Sequence, residues 1–136
     1  MKKYVIDASL LLKFLLSENL KTEQLVNKFL ILAKEKKILL YSSDLLVLEV
    51  TNGLRYSLRD VNLAEETLQK FLGLPINYFR FSPAQIGKIL KLSYEYQTSV
   101  YDTSYHFLAK IIQGIFLTAD SEYFKKARRF GDIQLI

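Results

Sequence analysis

The chain has no cysteine and a single histidine. Without cysteine there is no disulfide and no thiolate metal site. One histidine excludes a multi-histidine zinc site. Any metal must therefore be held mainly by oxygen, which points to magnesium or manganese. No apolar run approaches the roughly 20 residues needed to span a bilayer. The run Leu10–Leu16 is not read as a signal-peptide core: Asp7 stands just before it, Lys13 interrupts it, and no small-residue cleavage site follows. A cytoplasmic protein without a membrane association is expected. There is also no internal repeat, no low-complexity segment, no linker and no Walker-type glycine loop.

What is present is a chain of 136 residues, half of them apolar and 24% charged. That composition fits one globular domain, 1–136, with a real core, and not a disordered chain. The formal charge of +5 comes from 19 Lys and Arg against 14 Asp and Glu. Such an excess favours anionic partners such as nucleic acid, although lysine-rich solvated faces account for it equally well.

Along the chain, short apolar runs alternate with helical patterns. Strands are expected at 3–7, 38–41, 77–81, 115–117 and 133–136. Helices are expected at 9–16, 21–36, 44–58, about 62–72, 83–96, 102–113 and from 120 to about 129. Ser42-Ser43-Asp44 and Ser82-Pro83 read as helix starts, and Gly114 as a helix C-cap. Strands separated by one or two helices predict an α/β fold: a three-layer α/β/α domain around a central, mostly parallel sheet of four to five strands.

Four acids stand at informative places. Asp7 ends the first strand and Asp120 follows the fourth, so both project from the C-terminal edge of a parallel sheet, where open α/β folds place ligands. Asp102 lies at the start of a helix, in Tyr101-Asp102-Thr103. Glu49 lies in mid-helix after four apolar residues, where a carboxylate is costly to bury without a partner. Each has a structural alternative. Asp7, Asp102 and Asp120 are all placed to serve as N-caps, and a salt bridge to Arg55 or Lys13 would satisfy Glu49. If the four converge, they repel one another until a divalent cation relieves the repulsion. That cation would acidify a water and stabilise a leaving oxygen in phosphodiester hydrolysis. Ser9 and Thr118 stand beside the acids, where their hydroxyls would support a carboxylate or a water, or serve as caps.

These stretches carry a resemblance. Val5-Ile6-Asp7-Ala8-Ser9, Leu48-Glu49-Val50-Thr51-Asn52-Gly53-Leu54, Tyr101-Asp102-Thr103-Ser104-Tyr105 and Leu117-Thr118-Ala119-Asp120 resemble, in order and approximate spacing, the D-x-S, E-V-x-N-x-L, Y-D-A-x-Y and T-x-D blocks of PIN domains. Most closely they resemble the VapC-type ribonuclease toxins of toxin–antitoxin pairs. The resemblance implies Mg2+- or Mn2+-dependent cleavage of RNA to 5′-phosphate and 3′-hydroxyl products. It assigns catalytic and metal-ligand roles to Asp7, Glu49, Asp102 and Asp120, and implies a cognate antitoxin and a homodimer. Two positions depart from the pattern: Ser43 replaces a frequent proline, and Thr103 replaces an alanine. Neither removes a carboxylate.

Other residues invite functional readings of their own. His106, four residues after Asp102, reads as a partly buried helix histidine with no catalytic role. Lys125, Lys126, Arg128 and Arg129 form a basic cluster after Asp120 that would grip RNA phosphates or simply be solvated. Phe79, Phe81 and Phe116 read as core. The helix at Leu10–Leu16 reads as core or as the wall of a partner-binding groove. The competing functions are a non-catalytic PIN-like module that binds RNA or protein, and a receiver-like domain for Mg2+-dependent phosphoryl transfer. The second is disfavoured, because only one acid ends the first strand and no lysine fits well at the place such a domain needs one, after the last full strand.

Overall fold

A computed structural model describes all 136 residues. In chain order the elements are β1 (Lys3–Ile6), α1 (Ala8–Leu15), α2 (Leu20–Lys34), β2 (Leu39–Ser43), α3 (Leu45–Ser57), α4 (Val61–Leu72), β3 (Ile76–Phe79), α5 (Pro83–Tyr96), α6 (Val100–Ile112), β4 (Ile115–Thr118), α7 (Ser121–Ala127), a 3-10 turn (Arg128–Phe130) and β5 (Ile133–Leu135). The five strands form one sheet in the order β3-β2-β1-β4-β5, and every pairing is parallel. From β1 the chain steps outward to β2 and β3, then crosses back past β1 to β4 and β5. Right-handed crossovers place α1–α4 on one face of the sheet and α5–α7 on the other. The strand order reverses between β1 and β4, so the crevice of the sheet opens beyond their C-terminal ends.

The central strands are apolar because both of their faces are covered. Val5, Ile6, Phe116 and Leu117 are buried, with Ile6 paired to Leu117 and Val5 to Tyr41. On α3 the buried residues Leu46, Val50 and Leu54 recur every four positions, forming one stripe. On α1 the buried residues are Ala8, Leu10, Leu11 and Phe14, and Leu12, Leu15 and the C-cap Leu16 are partly buried against the same core. Phe116 is core as expected, and Phe79 and Phe81 pack against it from the partly buried shell.

Local details depart from the sequence expectations where long-range contacts decide. β2 runs through Ser43 and does not stop at Tyr41, because the Ser42 hydroxyl donates to the Ile6 carbonyl at 2.7 Å across the sheet. Asp44 has helical backbone angles and caps nothing. β3 spans Ile76–Phe79, one residue earlier than expected and ending two residues sooner. α6 begins at Val100, where the Ser99 hydroxyl accepts from the Asp102 amide at 3.0 Å; Asp102 is therefore inside the helix and is not its cap. Ser82-Pro83 does open α5, with a reciprocal capping box to Gln85. Gly114 is not the left-handed residue that ends α6. Gln113 takes that conformation, at φ 57°. Glycine is required at 114 because a Cβ there would stand 2.7 Å from the Lys3 carbonyl.

His106 is fully buried, where the sequence suggested partial burial. Its Nδ1 meets the Tyr123 hydroxyl at 2.8 Å, and its Nε2 meets the Gly131 carbonyl. Nε2 therefore carries the proton, and the Tyr123 hydroxyl donates to Nδ1. Burial holds the imidazole below its usual range against the opposing pull of Gly131, so the ring packs as a neutral tie between α6, α7 and the turn before β5. His106→Ala removes both bonds and leaves a void beside Phe116 and Phe130. The expected loss is about 2–4 kcal/mol in urea denaturation; a loss below about 0.5 kcal/mol would show that the tie is not structural.

Candidate active site

Asp7 is the N-cap of α1. Its Oδ1 accepts from the Leu10 amide at 2.8 Å, and the side chain is only 4% exposed. The other carboxylate oxygen is left without a hydrogen-bond partner. Asp7 lines a cavity of about 350 Å3 together with Ala8, Ser9, Leu12, Glu49, Asn52, Gly53, Asp102 and Tyr105. α3 delivers Glu49 and Asn52, three residues apart on one helix face. α6 delivers Asp102 and Tyr105 with the same spacing from across the sheet. No lysine or arginine lines the cavity. Glu49, Asn52 and Asp102 also line an adjoining groove with Leu45, Leu48, Ser99 and Tyr101, so the acid cavity opens into a larger channel.

The charges respond to this crowding. Burial, opposed by the Leu10 amide and reinforced by Asp102, Glu49 and Asp120, pushes Asp7 up to about 7. Burial also raises Glu49, against a hydrogen bond from the Tyr105 hydroxyl at 2.9 Å and with repulsion from Asp102. Asp102 is raised by burial and by Asp120, with Ser99 opposing.

Three of the four expected acids thus surround one cavity. Asp120 does not line it. It is exposed and caps α7, accepting from the Tyr123 amide at 3.0 Å, yet its charge reaches Asp7 and Asp102. Ser9 lies on the cavity wall and is exposed; it makes no bond to Asp7. The Thr118 hydroxyl accepts from the Asp120 amide at 3.1 Å, a turn contact, and supports no carboxylate directly. Glu49 has no salt bridge to Arg55 or Lys13; the chain's two ion pairs are Lys37–Glu35 and Lys110–Asp132. Lys125, Lys126, Arg128 and Arg129 are all exposed. Two of them are engaged, Lys126 with the Gln97 carbonyl at 3.2 Å and Arg129 over the Tyr96 ring at 5.0 Å. Sequence reasoning gave no role to Tyr105 or Asn52. Two signals were available: both residues fall on the resembled blocks, and each stands three positions after an acid, Asn52 after Glu49 and Tyr105 after Asp102.

The sequence profile of the PIN domain matches residues 4–129. The chain belongs to the PIN domain family. Members of this family are generally nucleases that use divalent metal ions. Among solved structures, this PIN domain is similar to PAE2754 from Pyrobaculum aerophilum, with 22% identity, a TM-score of 0.63, and coverage of 92% of this chain and 86% of the other. It is also similar to a chain of VapBC2 from Rickettsia felis bound to a DNA fragment from their promoter, with 15% identity, a TM-score of 0.71, and coverage of 98% and 97%. At those identities the likeness establishes the fold. A comparison with curated protein sequences finds no match. The family match and the absence of a cation from the cavity lining leave nothing to support a receiver-like domain.

The donor set of this PIN domain fits a hard divalent cation: carboxylate oxygens, mutually repelling, with neutral Asn52 and Ser9 beside them and no competing ammonium or guanidinium. No three of the acids are close enough together to grip one ion as they stand, so binding requires side-chain adjustment. The metal-free state carries a measurable signature. Asp7 keeps its proton up to about pH 7 when folded but releases it near 3.8 when unfolded. The stability this group contributes is therefore present below pH 4 and lost as pH rises through 7. Asp7→Asn keeps an oxygen for the Leu10 amide and carries no charge. In a chelator at pH 8 the variant should be the more stable protein, by on the order of 2–4 kcal/mol, and near pH 4 the two should be equal. Identical thermal unfolding at both pH values would contradict the burial of a charged Asp7.

Proposed function

We propose that this PIN domain is a metal-dependent endoribonuclease and the toxin of a toxin–antitoxin pair. The observation that carries the reading is the gathering of Asp7, Glu49 and Asp102 around one cavity at the switch point of the sheet, with Asp120 within electrostatic reach. The family's general chemistry supports it. In this reading Asp7, Glu49 and Asp102 would hold Mg2+ or Mn2+, with Asp120 contributing from the rim. Once bound, such an ion supplies charge stabilisation at a phosphodiester and its leaving oxygen, and acidifies water.

The chain's own residues do the rest. Asp7, already capping α1 through one oxygen, keeps the other free of protein partners at a position fixed by the strand end. Asn52 and Ser9 offer neutral donors along the cavity wall. The exposed Lys125 and Arg128, on and just after the helix that Asp120 starts, hold phosphates without reading sequence. The groove of about 590 Å3 beside the acids gives a single strand room to approach them. The reading also expects a cognate antitoxin, a homodimer and a cytoplasmic setting, and the likeness to a VapBC2 chain supports the antitoxin.

A second reading, a PIN-like module that binds RNA or protein without cleaving, is favoured by one observation: the acids do not form a ready ligand set. Cleavage of single-stranded RNA with Mg2+ or Mn2+, and with chelator, decides between them. The nuclease reading predicts cleavage that chelator stops and that Asp7→Asn or Glu49→Gln lowers by about 100-fold or more. Asp102→Asn should weaken Mn2+ binding by calorimetry. Metal-independent cleavage, none at all, or full activity of Asp7→Asn would overturn it. Lys125→Ala with Arg128→Ala should raise KM and flatten its salt dependence by about 1.4 units of log–log slope, leaving kcat within about twofold.

A further inference from the structure

Glu49 is a half-buried, flexible side chain with no cation beside it. Its one partner is the Tyr105 hydroxyl, which donates to Oε2 at 2.9 Å across 56 residues of sequence. Tyr105 itself has little freedom. It is 2% exposed, stacks nearly parallel to Phe116 at 6.3 Å and 19°, and is carried by α6, whose middle is buried from Thr103 to Ala109. A tyrosine held at ring and backbone offers its proton from a fixed point, and a carboxylate that accepts it is fixed in turn.

Asp102 lies one turn before Tyr105 on the same face of α6, and both line the cavity. α6 therefore brings one acid directly and reaches for a second. We propose that Tyr105 is a positioning residue of the site: its hydroxyl, anchored on Phe116, holds the Glu49 carboxylate of α3 at the cavity shared with Asp7 and Asp102. The bond engages Oε2 and leaves Oε1 for a cation. It acts in place of the salt bridge that Glu49 lacks, and a neutral donor does so without adding a positive charge that would compete with the ion. The inference rests on the metal-binding reading of the site.

Tyr105→Phe tests it, because the ring and its stacking on Phe116 are retained and only the hydroxyl is lost. Calorimetric titration with Mn2+ should show affinity reduced about tenfold, in the range of lost supporting hydrogen bonds around metal ligands. A crystal structure of the metal-free variant should show Glu49 displaced from the cavity while Asp7 and Asp102 keep their places. Unchanged affinity would overturn the proposal. So would weakened affinity with Glu49 still in position, because Tyr105 would then act by another route. A wild-type protein that takes up no Mn2+ would overturn the metal reading instead, and the position of Glu49 in the variant crystal would still decide whether Tyr105 holds it.

Discussion

A carboxylate buried at the end of the central strand is the constraint on which the remainder of the molecule depends. Asp7 is almost wholly removed from water and sits where burial disfavours its charge. It is tolerated because one oxygen caps α1. That bond starts α1 directly off β1, so Leu10, Leu11 and Phe14 enter the core within two turns. α1 in turn meets α3 closely: the Leu12 side chain fills the space where Gly53 has no Cβ. Glu49 stands one turn before Gly53 on that helix. A single cap thus propagates from strand to helix to the second acid.

The third acid arrives from the opposite layer. The return of the chain from β3 to β4 carries α6 over β1, β2 and β4, bringing Asp102 to the same crevice. Because α3 and α6 cover different faces, neither helix alone fixes the geometry of the pair. The Tyr105–Glu49 bond joins them directly. The electrostatic outcome is a set of carboxylates whose ionisation is disfavoured by burial and by one another, a state that a hard cation reverses.

The alternation of short apolar runs with helical periodicity was enough to read the parallel α/β architecture, because strands covered on both faces leave continuous apolar sequence. Asp7, Glu49, Asp102 and Asp120 were visible as acids placed without obvious partners. Features set by contacts across the sheet were not. Ser42-Ser43-Asp44 has the composition of a helix start, but the Ser42 hydroxyl is satisfied by Ile6 on the neighbouring strand, which no local pattern encodes. Gly114 looked like a cap when its reason is the Lys3 backbone. The depth of His106 depends on Tyr123 and Gly131, 17 and 25 residues away. Asp7 was read as either a cap or a ligand; the structure makes it a cap through one oxygen and sets it in the cavity wall, and a carboxylate has a second oxygen to give.

The central claim is that Asp7, Glu49 and Asp102 share one divalent cation. Anomalous scattering from a crystal soaked in Mn2+ tests it most directly. The account predicts a peak within coordination distance of Asp7 and at least one of Glu49 and Asp102, at the C-terminal ends of β1 and β4. A peak elsewhere, or none at millimolar Mn2+ with the cavity open to solvent, would contradict it.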